Sequence, residues 1–498
     1  MKRRGSGVLL HITSLPSPFG IGDLGPWAYR FADFLAEAKQ SFWHILSLNA
    51  TGAGMSPYHC ISAFAGNVFF ISPEAMAEDG YLREGDLIPH PKFPGKKISY
   101  PAVYRHKERL FRAAYDRFKK RSRQKKQAFL NFTDEHSSWL DDFALFKALK
   151  SHFNFKPWSE WPEGVRKRQP RSIGMLRRRL AEKIEMEKFL QFIFFRQWSS
   201  LHNYCRGKGI QIIGDMPIYL NLESADLWLH PEIFKLDDAG KPEAVAGVPP
   251  DYFSPTGQLW GNPVYRWNVL KERGYDWWII RMTHLLGLVD QVRIDHFRGL
   301  VAYWEIPVGE DSAVNGSWIE APAVDFFNCL IKKICCLPLI AEDLGVITAD
   351  VREVMLRFGL TGMKILQFAF GEDLPLNPYA PHNFIQNSIA YTGTHDNNTI
   401  RGWFDHELGR KGRARLFRYL GRRVSRDQVS WELIRLAMMS VADTAIIPFQ
   451  DILGLGEGAR MNRPATTRGN WRWRMLPTQL KPKITKRLRE FTEIYGRA

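Results

Sequence analysis

The chain has 498 residues, 45% hydrophobic and 24% charged, which is enough to bury a substantial core and too apolar for a disordered chain. Lys and Arg outnumber Asp and Glu by 69 to 52, with much of the excess in residues 105–126 and 166–179; neither run carries a nucleic-acid motif, so solvated helix faces are expected and no nucleic-acid partner. Five Cys without CxxC or His/Cys ligand spacing exclude a disulfide framework and suggest no metal site, and no apolar stretch reaches the roughly 18 residues of a membrane span.

The four-residue apolar run before His11 is too short for a signal peptide, so a cytoplasmic location is expected. Residues 7–12 then begin a series of short apolar runs ending in polar or Gly-rich turns. After the first, Pro26 suits an opening helical turn, and Phe31, Phe34, Leu35 and Ala38 recur at i, i+3, i+4 and i+7, which predicts a helix with one buried face.

The second run is 42–48, and the third, 210–213, follows only after about 160 residues of aromatic and basic helical pattern. About 75 more residues, including the Gly/Pro-rich segment 244–263, precede the fourth run, 288–294. Runs 337–341, 363–368, 388–392 and 444–449 complete a set of eight. Apolar strands alternating with helices predict an α/β chain, a (β/α)8 TIM barrel with inserted, mainly helical subdomains in the two long gaps. Residues 1–498 are expected to form a single catalytic barrel, with insertions at approximately 50–205 and 218–285.

Four runs deliver a carboxylate at their C-terminal ends, where a barrel gathers its chemistry: Asp215, Asp295, Glu342 and Asp396. A strand-end Asp also serves as a helix N-cap or an ion-pair partner, but four at equivalent positions are harder to dismiss. Strand alternation puts Arg293 on the face of Asp295, where its guanidinium would favour the ionised carboxylate of a nucleophile. Glu342 follows the apolar LPLIA, surroundings that raise a carboxyl pKa towards that of a general acid, while Asp343 should point the other way. One nucleophilic and one acid/base carboxyl are what retaining glycosyl transfer demands, and it needs no cofactor. Asp396 could orient sugar hydroxyls with His395 beside it, although a buried strand-end His is also a common packing residue.

The segments RIDHFRG, AEDLG, YTGTHDNNT, GDMPIY, VAGVPPDYFSPTGQLWGNP, SPYHCISAFAGN and RMNRPATTRGNW together resemble the amylomaltases, or 4-α-glucanotransferases, of the α-amylase clan. The resemblance implies Asp295 as nucleophile, Glu342 as acid/base and Asp396 as transition-state stabiliser, with Arg293 and His395 supporting them. It further implies substrate contacts at Tyr58, Asp215, Gln258, Trp260 and Asn462, although Tyr58 and Trp260 taken singly are as readily packing residues. The segment around Pro249 and Pro250 would be a loop partly covering the site. Asn398, Ala465 and Glu223 depart from the pattern, where Asp, Gly and Asp are usual.

The implied activity moves α-1,4-glucan segments between maltooligosaccharides or to glucose, with glycogen or starch-like glucans as partners. An α-amylase-like hydrolase would use the same residues. A silent glucan- or nucleic-acid-binding scaffold fits the basic runs but leaves the catalytic acids without purpose.

Overall fold

A computed structural model describes residues 4–52, 55–88, 91–250, 254–466 and 468–498. Among them run twelve strands: β1 (Gly5–Leu9), β2 (Phe42–His44), β3 (Gln211–Met216), β4 (Ala244–Val248), β5 (Gln258–Pro263), β6 (Gln291–Ile294), β7 (Ala302–Pro307), β8 (Ser317–Glu320), β9 (Leu339–Ala341), β10 (Gly362–Ile365), β11 (Ser388–Tyr391) and β12 (Thr444–Pro448). Eight form one parallel sheet in the order β10-β11-β12-β1-β2-β3-β6-β9. A parallel bridge from Ile340 to Thr361, where Ala341 N–H donates to the Thr361 carbonyl at 2.8 Å, brings the two ends of the sheet together.

These eight strands coincide with the eight apolar runs. They are buried on both faces, so they read as continuous hydrophobic stretches without alternation. Outside them pack helices such as Pro26–Glu37, opened by Pro26, whose Phe31, Phe34 and Leu35 are all buried. The register sets Asp215 of β3 opposite Arg293 of β6, and Arg293 opposite Ile340 of β9. The sheet itself therefore sets Asp215 and Arg293 side by side along the rim of the barrel.

Between β2 and β3 lie the helices Tyr100–Lys119, Gln127–Glu135, Ser137–His152 and Ala181–Gly207, tied by ring contacts such as Phe118 on Phe189, with centroids 4.6 Å apart. The basic run is mostly the solvated face of Tyr100–Lys119, with Arg105, Arg109, Arg112 and Lys119 exposed. Lys107 is an exception. It is buried, donates to the carbonyls of Phe69 at 2.6 Å and Ile71 at 2.8 Å, and faces Asp23 at 3.7 Å. Burial, opposed by Asp23, lowers its pKa to about 8.

The strip between β3 and β6 contains more than helix and loop. The Gly/Pro-rich segment begins and ends as β4 and β5, which join β7 and β8 in an antiparallel sheet ordered β5-β4-β7-β8. Its pairing shifts between Val245 and Gly247, a bulge that breaks the alternation on which a strand assignment relies. Residues 251–253 of the expected covering loop lie outside the described residues.

Candidate active site

Asp295 follows β6 directly, and its backbone N–H donates to the Met216 carbonyl of β3 at 3.0 Å. Arg293 reaches both ways along the rim. Its Nη1 donates to both Asp215 oxygens, at 2.8 and 2.9 Å, and its Nη2 lies 2.9 Å from Asp295 Oδ1. Asp215, fully buried, also accepts the Tyr58 hydroxyl at 2.5 Å, so its oxygens are engaged with protein groups.

Glu342 follows β9 and is anchored by two backbone donors, His296 N–H to Oε2 at 2.7 Å and Leu344 N–H to Oε1 at 3.1 Å. His296 adopts a left-handed conformation, φ 51°, uncommon for a residue with a Cβ, and this turn aims its N–H at Glu342. Asp343 points away as expected, accepting from Met363 N–H of β10 at 2.6 Å.

Asp396 follows β11. Asn462 Nδ2 donates to Oδ1 at 2.6 Å, and His395 Nε2 stands 3.3 Å from Oδ2. The Tyr58 hydroxyl gives its proton to Asp215 and lies 2.8 Å from the same His395 nitrogen, so the phenol oxygen is left to accept from a protonated Nε2. The Tyr58 ring stacks on His395 with centroids 5.2 Å apart. Tyr58, Asp215, Arg293, Asp295, His395 and Asp396 thus form one connected arc.

The three acids differ in proton affinity. Burial raises Asp295 to about 6, and Arg293 pulls against this without reversing it. Arg293 favours the ionised form of Asp295, as their shared strand face implies, while desolvation and the nearby Asp215 and Asp396 outweigh it in the net shift. Glu342 rises further, to about 8, through burial first and then the charge of Asp295, against the opposing pull of Arg293 and the His296 N–H bond. Asp396 also loses hydration by burial, yet the His395 charge and hydrogen bond, with the Asn462 amide, hold it well below the usual carboxylate range. Its side chain remains 42% exposed, accessible from the cleft.

Gln258 and Trp260 both stand on β5, the indole N–H donating to the Gln258 side-chain oxygen at 3.2 Å. The partly exposed Trp260 ring meets His296 edge-on at 4.7 Å. Trp260 therefore flanks the turn that carries Glu342's backbone donor, with the Gln258 side chain held at its indole.

Residues that motif spacing did not single out complete the site. Arg460 donates to the Asp396 carbonyl at 2.7 Å and the Asn462 carbonyl at 2.8 Å, clamping the β11 loop to the segment near the C-terminus. Trp471, in a left-handed conformation at φ 60°, packs beside Tyr58 and His395 with centroids 5.9 and 5.8 Å away. The only sequence signal for either was membership of the RMNRPATTRGNW segment.

The sequence profile described as 4-alpha-glucanotransferase matches residues 10–479. The chain belongs to the 4-alpha-glucanotransferase family. The 4-alpha-glucanotransferase of Aquifex aeolicus is 47% identical over 99% of both chains, and that of Thermus thermophilus 46% identical over 98% of both. Among solved structures, the amylomaltase from Streptococcus agalactiae in complex with acarbose matches with a TM-score of 0.96 and 39% identity over 100% of both chains. The amylomaltase from Corynebacterium glutamicum shares the fold, with a TM-score of 0.75 and 21% identity over 99% of this chain and 74% of that one.

Asn398, Glu223 and Ala465, the residues expected to depart from the family pattern, each have a defined structural setting. Asn398 donates its amide to Glu407 Oε1 at 2.8 Å, an oxygen that also faces Arg460 at 3.3 Å; a carboxylate at position 398 would repel Glu407 there. Glu223 pairs with Lys150 at 2.6 Å and accepts from Trp158 N–H at 3.2 Å, joining the loop after β3 to the helical insertion. Ala465 has φ 59°, the left-handed region in which glycine is free of strain. Ala465→Gly should raise the local opening free energy of the 461–471 loop by about 0.5–1 kcal/mol. Hydrogen exchange over that loop measures it, and unchanged protection would mean that Ala465 imposes no strain.

Proposed function

We propose that this chain moves α-1,4-glucan segments between maltooligosaccharides, or to glucose, by retaining double displacement. The observation carrying the mechanism is the unequal setting of two neighbouring strand-end acids, Asp295 paired with Arg293 Nη2 at 2.9 Å and Glu342 held by the His296 N–H at 2.7 Å, with burial and the charge of Asp295 raising Glu342 further. Asp295 therefore ionises first, while Glu342 keeps its proton. Asp295 attacks the anomeric carbon while the bond to the leaving oxygen breaks, and Glu342 gives that oxygen its proton. The acceptor's 4-hydroxyl then attacks the glycosyl-Asp295 ester and gives its proton to Glu342, restoring both acids.

Asp396 steadies the positive charge developing at the anomeric centre, and its low pKa keeps it anionic throughout. Arg293 and Tyr58 are held by Asp215, so we assign Asp215 to substrate binding through the groups it orients. Gln258, Trp260, His395 and Asn462 complete the glucan contacts. The chain works as one catalytic barrel, with the insertions at approximately 50–205 and 218–285 shaping the groove. The Gly/Pro-rich segment around Pro249 and Pro250 covers the cleft and favours a sugar acceptor over water.

We infer maltooligosaccharides and starch- or glycogen-like glucans as the substrates and a cytoplasmic location. Among the described residues no helix is long and apolar enough to cross a membrane. Incubation with maltotriose should yield glucose together with chains longer than maltotriose. Exclusively shorter products would replace this reading with the hydrolase.

A further inference from the structure

The antiparallel sheet beside the site carries aromatic surface that the mechanism does not use. Pairing sets Leu259 opposite Gly247, Gly247 opposite Trp304, and Trp304 opposite Trp318, so these positions form a row on one face. Leu259 is 41% exposed and Trp318 37%, while Val308 and Val314 in the adjoining turn are 56% and 51% exposed. Trp260 belongs to the opposite face, where it meets His296. The Trp318 row is therefore a second surface, separate from the catalytic contacts.

Trp318 is held in a defined pose. The buried Arg298 guanidinium lies 3.9 Å from its ring centroid and occupies one ring face. The Trp304 ring meets it at a steep angle, with centroids 5.3 Å apart and planes at 69°. Trp304 is itself fixed, its indole N–H donating to the Ala313 carbonyl at 2.8 Å. Such an immobilised, partly exposed ring offers stacking area at little entropic cost to an incoming ligand.

We propose that Trp318 is an outlying platform for long α-glucans, stacking a sugar ring of a chain whose other part lies in the catalytic cleft. The proposal rests on the transferase reading above. Its choice of occupant follows from position. Arg298 is three residues beyond Asp295, at most about 11 Å along the backbone, and it bonds to the Val346 carbonyl and the Thr348 hydroxyl, which follow Glu342. Platform and acids thus share two loops. Glu320, two residues along β8 on the Trp318 face, and the hydrogen-bonded Glu310 and Asn315 of the turn before β8 are polar groups suited to sugar hydroxyls, and the two carboxylates are unsuited to a polyanion. A polymer held at two places gains effective concentration at the cleft, whereas a trisaccharide confined to the cleft gains nothing.

The experiment compares the parent with Trp318→Ala and Trp318→Phe, using maltotriose and long-chain amylose as donors. Trp318→Ala should leave kcat and KM for maltotriose within about twofold and raise KM for amylose about three- to tenfold, the loss of one aromatic stack. Trp318→Phe should recover most of the amylose KM. Unchanged amylose kinetics in Trp318→Ala would overturn the platform, as would equal losses on both donors. A change of oligomeric state with intact amylose kinetics would show that a second copy of the chain covers the patch. Amylose affinity electrophoresis separates this proposal from the one beneath it: retardation that depends on Trp318 in a parent without transfer activity would sink the transferase reading alone.

Discussion

Asp295→Asn is expected to fold, to bind maltotriose and to lose transfer by about 10⁴-fold or more. The amide is nearly isosteric with the carboxylate and can still accept from Arg293, whose charge remains balanced by Asp215 at 2.8 and 2.9 Å. What disappears is the oxygen nucleophile. A smaller side chain makes the assignment stereochemically testable. In Asp295→Gly, azide can occupy the vacated space and attack α-glucosyl fluoride from the face Asp295 used, forming the carbon–nitrogen bond as fluoride leaves. One inversion gives β-glucosyl azide. Transfer by Asp295→Asn within tenfold of the parent, or an α-configured azide product, would remove Asp295 from the nucleophile's role.

The barrel was legible because its strands are buried on both faces, and continuous apolar runs survive inspection without any knowledge of their neighbours. The companion sheet was hidden for the converse reason. β5 and β8 are largely exposed, β4 contains a bulge, and β7 follows a strand-end turn where alternation predicts a helix. Among the site residues, the acids were legible by their position at strand ends. Arg460 and Trp471 were not, because their importance arises from long-range closure: a segment near the C-terminus lies against the β11 loop through Asn462 N–H donating to the His395 carbonyl at 3.0 Å. The His296 donor depends on a left-handed turn, which a His side chain does not announce.

The sign of the Asp295 shift shows a different limit. Sequence places Arg293 two residues away on the same strand face, and so reveals the attraction. It does not reveal how far the surrounding barrel strips water from the carboxylate, whose side chain keeps 28% exposure yet is shifted more by desolvation than by Arg293. The same burial acts on Glu342 with weaker compensation. Two acids on one pocket rim are thereby separated by environment, even though their isolated side chains titrate close together.

Glu342→Gln should lower maltotriose transfer by about 10²- to 10⁴-fold, because a sugar leaving group departs poorly without a proton. The parent kcat/KM should rise with pH as Asp295 ionises near 6 and fall as Glu342 loses its proton near 8. In Glu342→Gln the alkaline limb should vanish and the acid limb remain. α-Glucosyl fluoride distinguishes the two half-reactions, since fluoride leaves without protonation. The variant should still form the glycosyl-Asp295 ester but fail to pass it on, so peptide mass spectrometry should find one glucosyl unit on the segment containing Asp295. The charge of Asp295 is among the causes that raise Glu342. Esterification removes that charge, which lowers the Glu342 pKa when it must turn from acid to base and take the acceptor's proton. A variant that kept the alkaline limb, or accumulated no ester from the fluoride, would exclude Glu342 as the proton carrier.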